Sequence, residues 1–211
     1  MKQKNFGNRL FWAVVGNYLI AAGIVFVRIS GQGADPFTVM NLGISSLLPI
    51  SYGTYTMLFN IAIFIPIYLL DKSSFGIGGL VNMLLLAYMV EFNMWIASLV
   101  GLTENMFKGN LLMALLFMLI GIVLICIGVA FYTYSDLGAS PWDYLGILIE
   151  KKTQGKVPYK ISRVVYDCIA LFIGFITGQT LGIGTFVAGF FTGPLVSFFK
   201  NTLAKKYVKL G

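Results

Sequence analysis

The 211 residues are 58% hydrophobic and 11% charged, with a mean hydropathy of +0.85. A soluble domain needs more charge than that to cover its surface, so the composition places the chain in the membrane class. The net charge of +7 is gathered at the two ends and in one loop rather than along a groove, which argues against nucleic acid as a partner.

In chain order, Lys2, Lys4 and Arg9 precede a first apolar run over 10–30. That run is too long for a signal peptide and no A-x-A-like site follows it, so it reads as a retained anchor. Asn17 inside it reads as helix–helix glue. Arg28 sits at its outer end, either snorkelling to headgroups or lending positive charge to a cavity, with Asp35 as its natural partner. The phrase Gly33-Ala34-Asp35-Pro36-Phe37 follows and opens a short segment over 36–48. Runs at 52–70, containing Asn60, and 77–99, containing Asn82, Glu91 and Asn93, come next. A fourth run, 110–133, holds Cys126 and leads to Gly138-Ala139-Ser140-Pro141-Trp142 and a second short segment over 141–151. A basic loop with Lys151, Lys152, Lys156, Lys160 and Arg163 precedes a run at 161–179, containing Asp167 and Cys168. The last run, 182–199, is followed by Lys200, Lys205, Lys206 and Lys209.

Six runs approach the roughly 20 residues needed to cross a bilayer. With the amino terminus inside, six crossings leave every Lys and Arg except Arg28 and Lys108 on the cytoplasmic side, the carboxyl terminus included. Eight crossings, counting both short segments, balance equally well, with Lys72 and Lys108 exchanging sides. The shortness of 141–151 and its Asp143, Glu150 and Lys151 favour six, with the short segments re-entrant or interfacial.

The two proline phrases belong to a longer correspondence. Aligning Gly33 with Gly138 also aligns Gly23 with Gly128, Phe26 with Phe131, Pro36 with Pro141 and Phe37 with Trp142. Slightly larger displacements pair Tyr52 with Tyr159, Asn60 with Asp167, and Gly76-Ile77-Gly78 with Gly182-Ile183-Gly184. The expected fold is therefore all-α: one membrane domain over 1–211, with repeats at approximately 8–100 and 110–200. Three crossings per repeat is odd, so the repeats are expected to be inverted.

Each proline phrase is a helix start. Asp35 and Ser140 are favoured N-cap residues, Pro36 and Pro141 suit the first helical position, and Gly33 and Gly138 permit the preceding reversal. If the two starts lie inside the membrane, their partial positive charge favours an anionic or zwitterionic solute. The candidate binding residues are Arg28, Gly33, Asp35, Gly138, Ser140, Trp142 and Asp143, with Asn60, Glu91 and Asp167 as intramembrane polar or coupling groups. Arg163, one turn before Asp167, is a plausible ion-pair partner for it.

The chain has no histidine and no carboxylate-rich cluster, so no catalytic constellation, metal site or cofactor is expected. The glycines at 76–79 and 182–184 lack the strand and the Lys-Ser/Thr of a phosphate loop.

Gly138 to Asp143, with Gly128-Val129-Ala130 before it and Ile183-Gly184-Thr185 after it, resembles the YczE/YyaS/YitT group of bacterial integral membrane proteins. The match covers most of the second half; Asp35-Pro36-Phe37 follows the P-W-D pattern more loosely. The resemblance implies a bacterial plasma-membrane protein, with Pro141, Trp142 and Asp143 as signature positions and transport as the conjectured role. Three functions are expected to compete: a small-solute transporter or permease with a site near the repeat interface; a substrate-binding membrane subunit of a multi-component importer; and a non-transport membrane scaffold or assembly factor. The bilayer, a small solute, and a partner subunit or a second copy are the expected partners.

Overall fold

Apolar segments fold as helices because every backbone N–H and C=O must find a partner within its own segment once water is excluded. The computed structural model describes residues 5–72 and 76–209, with the backbone alone of 188–191; Lys2 and Lys4 lie outside the described residues. Among those residues there is no strand. The helices are α1 (Phe6–Ser30), α2 (Pro36–Ser46), α3 (Tyr52–Leu70), α4 (Ile77–Leu99), α5 (Leu111–Tyr134), α6 (Pro141–Lys152), α7 (Tyr159–Ile176) and α8 (Ile183–Phe199). A wider π-type turn at Lys200–Ala204 leads into a last turn, α9 (Lys205–Tyr207).

By length and composition α1, α3, α4 and α5 can cross a membrane. The last two expected crossings form as helices of 18 and 17 residues. They fall short for identifiable reasons: α7 carries Lys160, Arg163 and Asp167, and α8 has only 17 residues before the wider turn that opens at the charged Lys200.

The bundle is organised around a close antiparallel crossing of α1 and α5. A Cβ on Gly16 would lie 2.6 Å from the Gly128 carbonyl oxygen, and one on Gly23 2.6 Å from that of Gly121. Small residues at these positions let the backbones touch. Alongside α1 lies α4, whose Asn82 amide donates to Asn17 Oδ1 at 2.7 Å. Asn17 is thus the expected glue, and Asn82 is the partner that the sequence alone did not name.

α3 runs antiparallel to α4. The Glu91 carboxylate of α4 accepts from the Gly53 N–H at 2.7 Å, satisfying one of the free donors at the start of α3. Glu91 therefore acts as a cap supplied from a neighbouring helix. Glu91→Leu is expected to destabilise the protein by about 1–2 kcal/mol, the range for a lost cap. A thermal melt in detergent identical to that of the parent would contradict the assignment.

The short helices pair with the longer helix of the opposite half. α2 lies along α7, with Val39 against Gly174 and Gly43 against Thr177. α6 lies along α3, and Tyr144 and Lys151 reach Asp71 at the end of α3 at 3.0 and 2.5 Å. The hydrogen bond and charge of Asp71 raise the Lys151 ammonium above its ordinary pKa. The first turns of α2 and α6 meet: the Phe37 and Trp142 rings are 5.0 Å apart, and Phe59 and Tyr166, midway along α3 and α7, pack on Trp142. From that shared level the two short helices run to opposite ends of the bundle. One end carries Arg28, Glu104 and Lys108; the other gathers Lys72, Lys151, Lys152, Lys156 and Lys160 with both described chain ends.

Candidate functional site: a cavity between two helix starts

Each short helix starts as its sequence dictates. Asp35 has extended backbone (φ −63°, ψ 157°) and its Oδ1 accepts from the Thr38 N–H at 3.1 Å. Ser140 (φ −65°, ψ 155°) accepts from the Asp143 N–H at 3.2 Å. Proline follows in both, where a missing N–H costs nothing. Gly33 and Gly138 have φ of +82° and +102°, a region that residues with a Cβ rarely adopt.

The same glycines lie against the other half. Gly138 packs on Gly76 at the start of α4, and Gly33 on Gly182 and Thr185 at the start of α8. Beside these contacts the Gly78 N–H donates to the Leu137 carbonyl and the Gly184 N–H to the Gln32 carbonyl, both at 2.8 Å.

Where the first turns of α2 and α6 meet, they border a cavity of about 500 Å³. Asp35, Phe37 and Thr38 line it from one half, and Ser140, Trp142, Asp143, Arg163 and Asp167 from the other. Asn60, Asn82, Tyr132 and Thr133 add polar groups, while Ile20, Ile24, Val27, Ile122 and Ile125 close the apolar side.

An ionic network forms one wall. Arg163 Nε donates to Asp167 Oδ2 at 2.8 Å, and its Nη1 pairs with Asp143 Oδ1. The Ser140 hydroxyl donates to Asp143 Oδ2 at 2.7 Å, and the Trp142 indole N–H to Asp167 Oδ1 at 3.2 Å. Arg163 also lies over the Tyr166 ring, 5.6 Å from its centroid. One guanidinium thus holds two carboxylates from α6 and α7, and each carboxylate has a further donor, from the cap of α6 or from its first turn. The corresponding positions of the first half, Thr38, Thr56 and Asn60, are all neutral.

Of the sequence-derived candidates, Asp35, Asn60, Ser140, Trp142, Asp143 and Asp167 line this cavity. Arg28 and Gly33 instead line a smaller one of about 210 Å³ at the Arg28 end, which shares Val27 and Ala34 with the first. Arg28 does not pair with Asp35. Its guanidinium takes Glu104 at 3.1 and 3.0 Å, because the last turn of α1 faces the loop after α4 while Asp35 is turned inward as a cap. Gly138 serves the contact with Gly76, and Glu91 the start of α3. The central position of Arg163 between two acids was only half visible, since Asp167 lies one turn away but Asp143 lies on another helix. Tyr132, buried with no hydrogen-bond partner for its hydroxyl, carries no sequence signal at all.

The model of a family of unknown function, DUF6198, matches residues 7–201. The chain belongs to this family. Among curated proteins, this DUF6198 chain is similar to an uncharacterised protein of Haemophilus influenzae, 26% identical over 89% of the chain and 81% of the relative. It is also similar to the uncharacterised protein YyaS of Bacillus subtilis, 23% identical over 92% of the chain and 93% of the relative. A third relative, the uncharacterised membrane protein YczE of Bacillus subtilis, is 26% identical over 87% of the chain and 81% of its own length. The expected kinship with YczE and YyaS is borne out. No solved structure matches the chain. A relative named as a membrane protein and four helices able to cross a bilayer fit an integral membrane protein.

Proposed function

We propose that this DUF6198 chain is a small-solute permease of the bacterial plasma membrane, with the central cavity as its solute site. The observation that carries the reading is the cavity itself: charged and polar side chains from both halves converge at the start of two short helices, inside a bundle built mostly of apolar residues. Ionisable groups in such a place are costly and mark solute or ion paths, and broken helices facing one another are the usual form of a transporter site.

In this reading six helices cross the membrane, and α2 and α6 are re-entrant, starting near the midplane and running to opposite faces. Paired contacts support an inverted repeat. Gly16 on Gly128 becomes Gly121 on Gly23 when the halves are exchanged, and Gly78 to Leu137 becomes Gly184 to Gln32. The Lys-rich end is cytoplasmic, with both chain termini. The smaller cavity beside Arg28 is a vestibule on the far side, divided from the solute site by Val27 and Ala34.

Two measurements test this. In a cysteine-free background, Lys72→Cys and Lys156→Cys are expected to react with an impermeant maleimide from the same side and Lys108→Cys from the other; eight crossings would separate Lys72 from Lys156. In proteoliposomes the purified chain is expected to pass at least one of a panel of cationic, zwitterionic and anionic solutes, and Asp167→Asn to abolish the flux while inserting normally. Flux only after an ATPase partner is added would assign the chain to a multi-component importer, and a chain inert in both settings would refute the permease.

A further inference from the structure

We propose that the solute of the central cavity is an organic cation, an ammonium group on a compact apolar body. The inference rests on the cavity being the solute site, and it reverses the charge that the bare helix starts suggest. Those starts offer an anion little. Pro36 and Pro141 have no N–H, and the N–H groups of Thr38 and Asp143 are already taken by Asp35 and Ser140, which leaves one N–H at each start, on Phe37 and on Trp142.

The charges around the cavity point the same way. Asp35, Asp143 and Asp167 line it together with a single basic residue, Arg163. Two carboxylates, Asp143 and Asp167, already neutralise that guanidinium, so it brings no net positive charge to an anionic solute. Among the described residues Asp35 enters no ion pair. A carboxylate held at such a place without a cation is unfavourable, and a bound ammonium would relieve the cost.

A second, independent feature lines the same cavity. Tyr132 is only 4% exposed, lines the cavity, and has a hydroxyl with no hydrogen-bond partner. A buried hydroxyl of this kind costs free energy until something meets it, and its oxygen lone pairs attract the positively polarised hydrogens around an ammonium centre, whether on the nitrogen or on the adjoining methylenes. The aromatic surfaces suit the same guest. Phe37 and Trp142, 5.0 Å apart, both line the cavity, and the face of an indole is the best aromatic partner for a cation. A volume near 500 Å³ and the isoleucine side of the wall fit an organic body rather than a bare ion.

The test uses the full chain in nanodiscs of neutral phosphatidylcholine, with radiolabelled tetraethylammonium as the probe and benzenesulfonate and glycine betaine as competitors. Saturable tetraethylammonium binding is expected, with neither competitor displacing it at equal concentration. Asp35→Asn keeps the cap, because asparagine caps as well as aspartate, and is expected to weaken binding at least about tenfold, the effect of losing one charge-assisted contact. Trp142→Leu is expected to weaken it roughly three- to tenfold, and Glu104→Gln, in the smaller cavity, to leave it unchanged. An Asp35→Asn protein that melts like the parent yet binds tetraethylammonium as well overturns the proposal. So does preferential binding of benzenesulfonate or glycine betaine, which leaves the permease reading standing. Absence of tetraethylammonium binding overturns it too. Binding that follows the expected pattern, with no flux in proteoliposomes, supports the cation site and removes the permease.

Discussion

Replacing Arg163 by methionine is expected to cost about 2–3 kcal/mol of stability, seen as a melting temperature in detergent lower by about 4–10 °C. The substitution keeps much of the side-chain volume but leaves Asp143 and Asp167 facing one another without their shared cation. Stripping one partner from a fully buried pair costs roughly 3–5 kcal/mol, and an exposed pair contributes about 0–1. The side chains of Arg163, Asp143 and Asp167 are 30, 41 and 21% exposed, so the effect belongs between those limits. If repulsion between the acids is the cause, adding Asp143→Asn and Asp167→Asn to Arg163→Met should recover at least half the loss. An Arg163→Met protein that melts like the parent would mean the network is screened by water and does not hold α6 to α7.

The largest effect is expected at Gly138. A Cβ there would lie 2.5 Å from the Gly76 nitrogen and 2.8 Å from its Cα, both backbone atoms that cannot rotate away. The φ of +102° adds conformational strain for any residue with a Cβ. Gly138→Val combines the two penalties, at least about 4 kcal/mol, and little folded protein is expected from it. Gly7→Ala is the matched comparison: nothing lies within 4 Å of its Cβ position, so its effect should stay within about 0.5 kcal/mol. Equal yields and equal melts for Gly138→Val and the parent, compared by fluorescence-detected size exclusion, would refute the assigned contact.

The proline phrases were legible because their chemistry is local. An N-cap, a proline and a left-handed glycine act over four residues, and each does at Asp35 and Ser140 what its type requires. The short helices over 36–48 and 141–151 accordingly appear as Pro36–Ser46 and Pro141–Lys152. The long-range pairings were not legible. Glu104 lies far along the chain from Arg28, and nothing in the spacing favours it over Asp35, which is nearer in sequence but committed to its own helix. Glu91 reads as a charge within an apolar run, and only the antiparallel packing of α3 on α4 reveals it as a cap. The alignment of Gly76 to Gly78 with Gly182 to Gly184 was visible, but the partners those glycines touch belong in each case to the opposite half.

That last arrangement constrains how the chain is made. The donor at Gly78 has no acceptor until residue 137 has been synthesised, and the carbonyl of Gln32 waits for residue 184. The amino half therefore leaves the ribosome unable to complete its own fold, and depends on whatever shelters an unfinished bundle during insertion. A gene cut between α4 and α5 would yield two fragments, each holding what the other lacks. Neither would be a smaller version of the whole, and their only route to a native state would be to find one another.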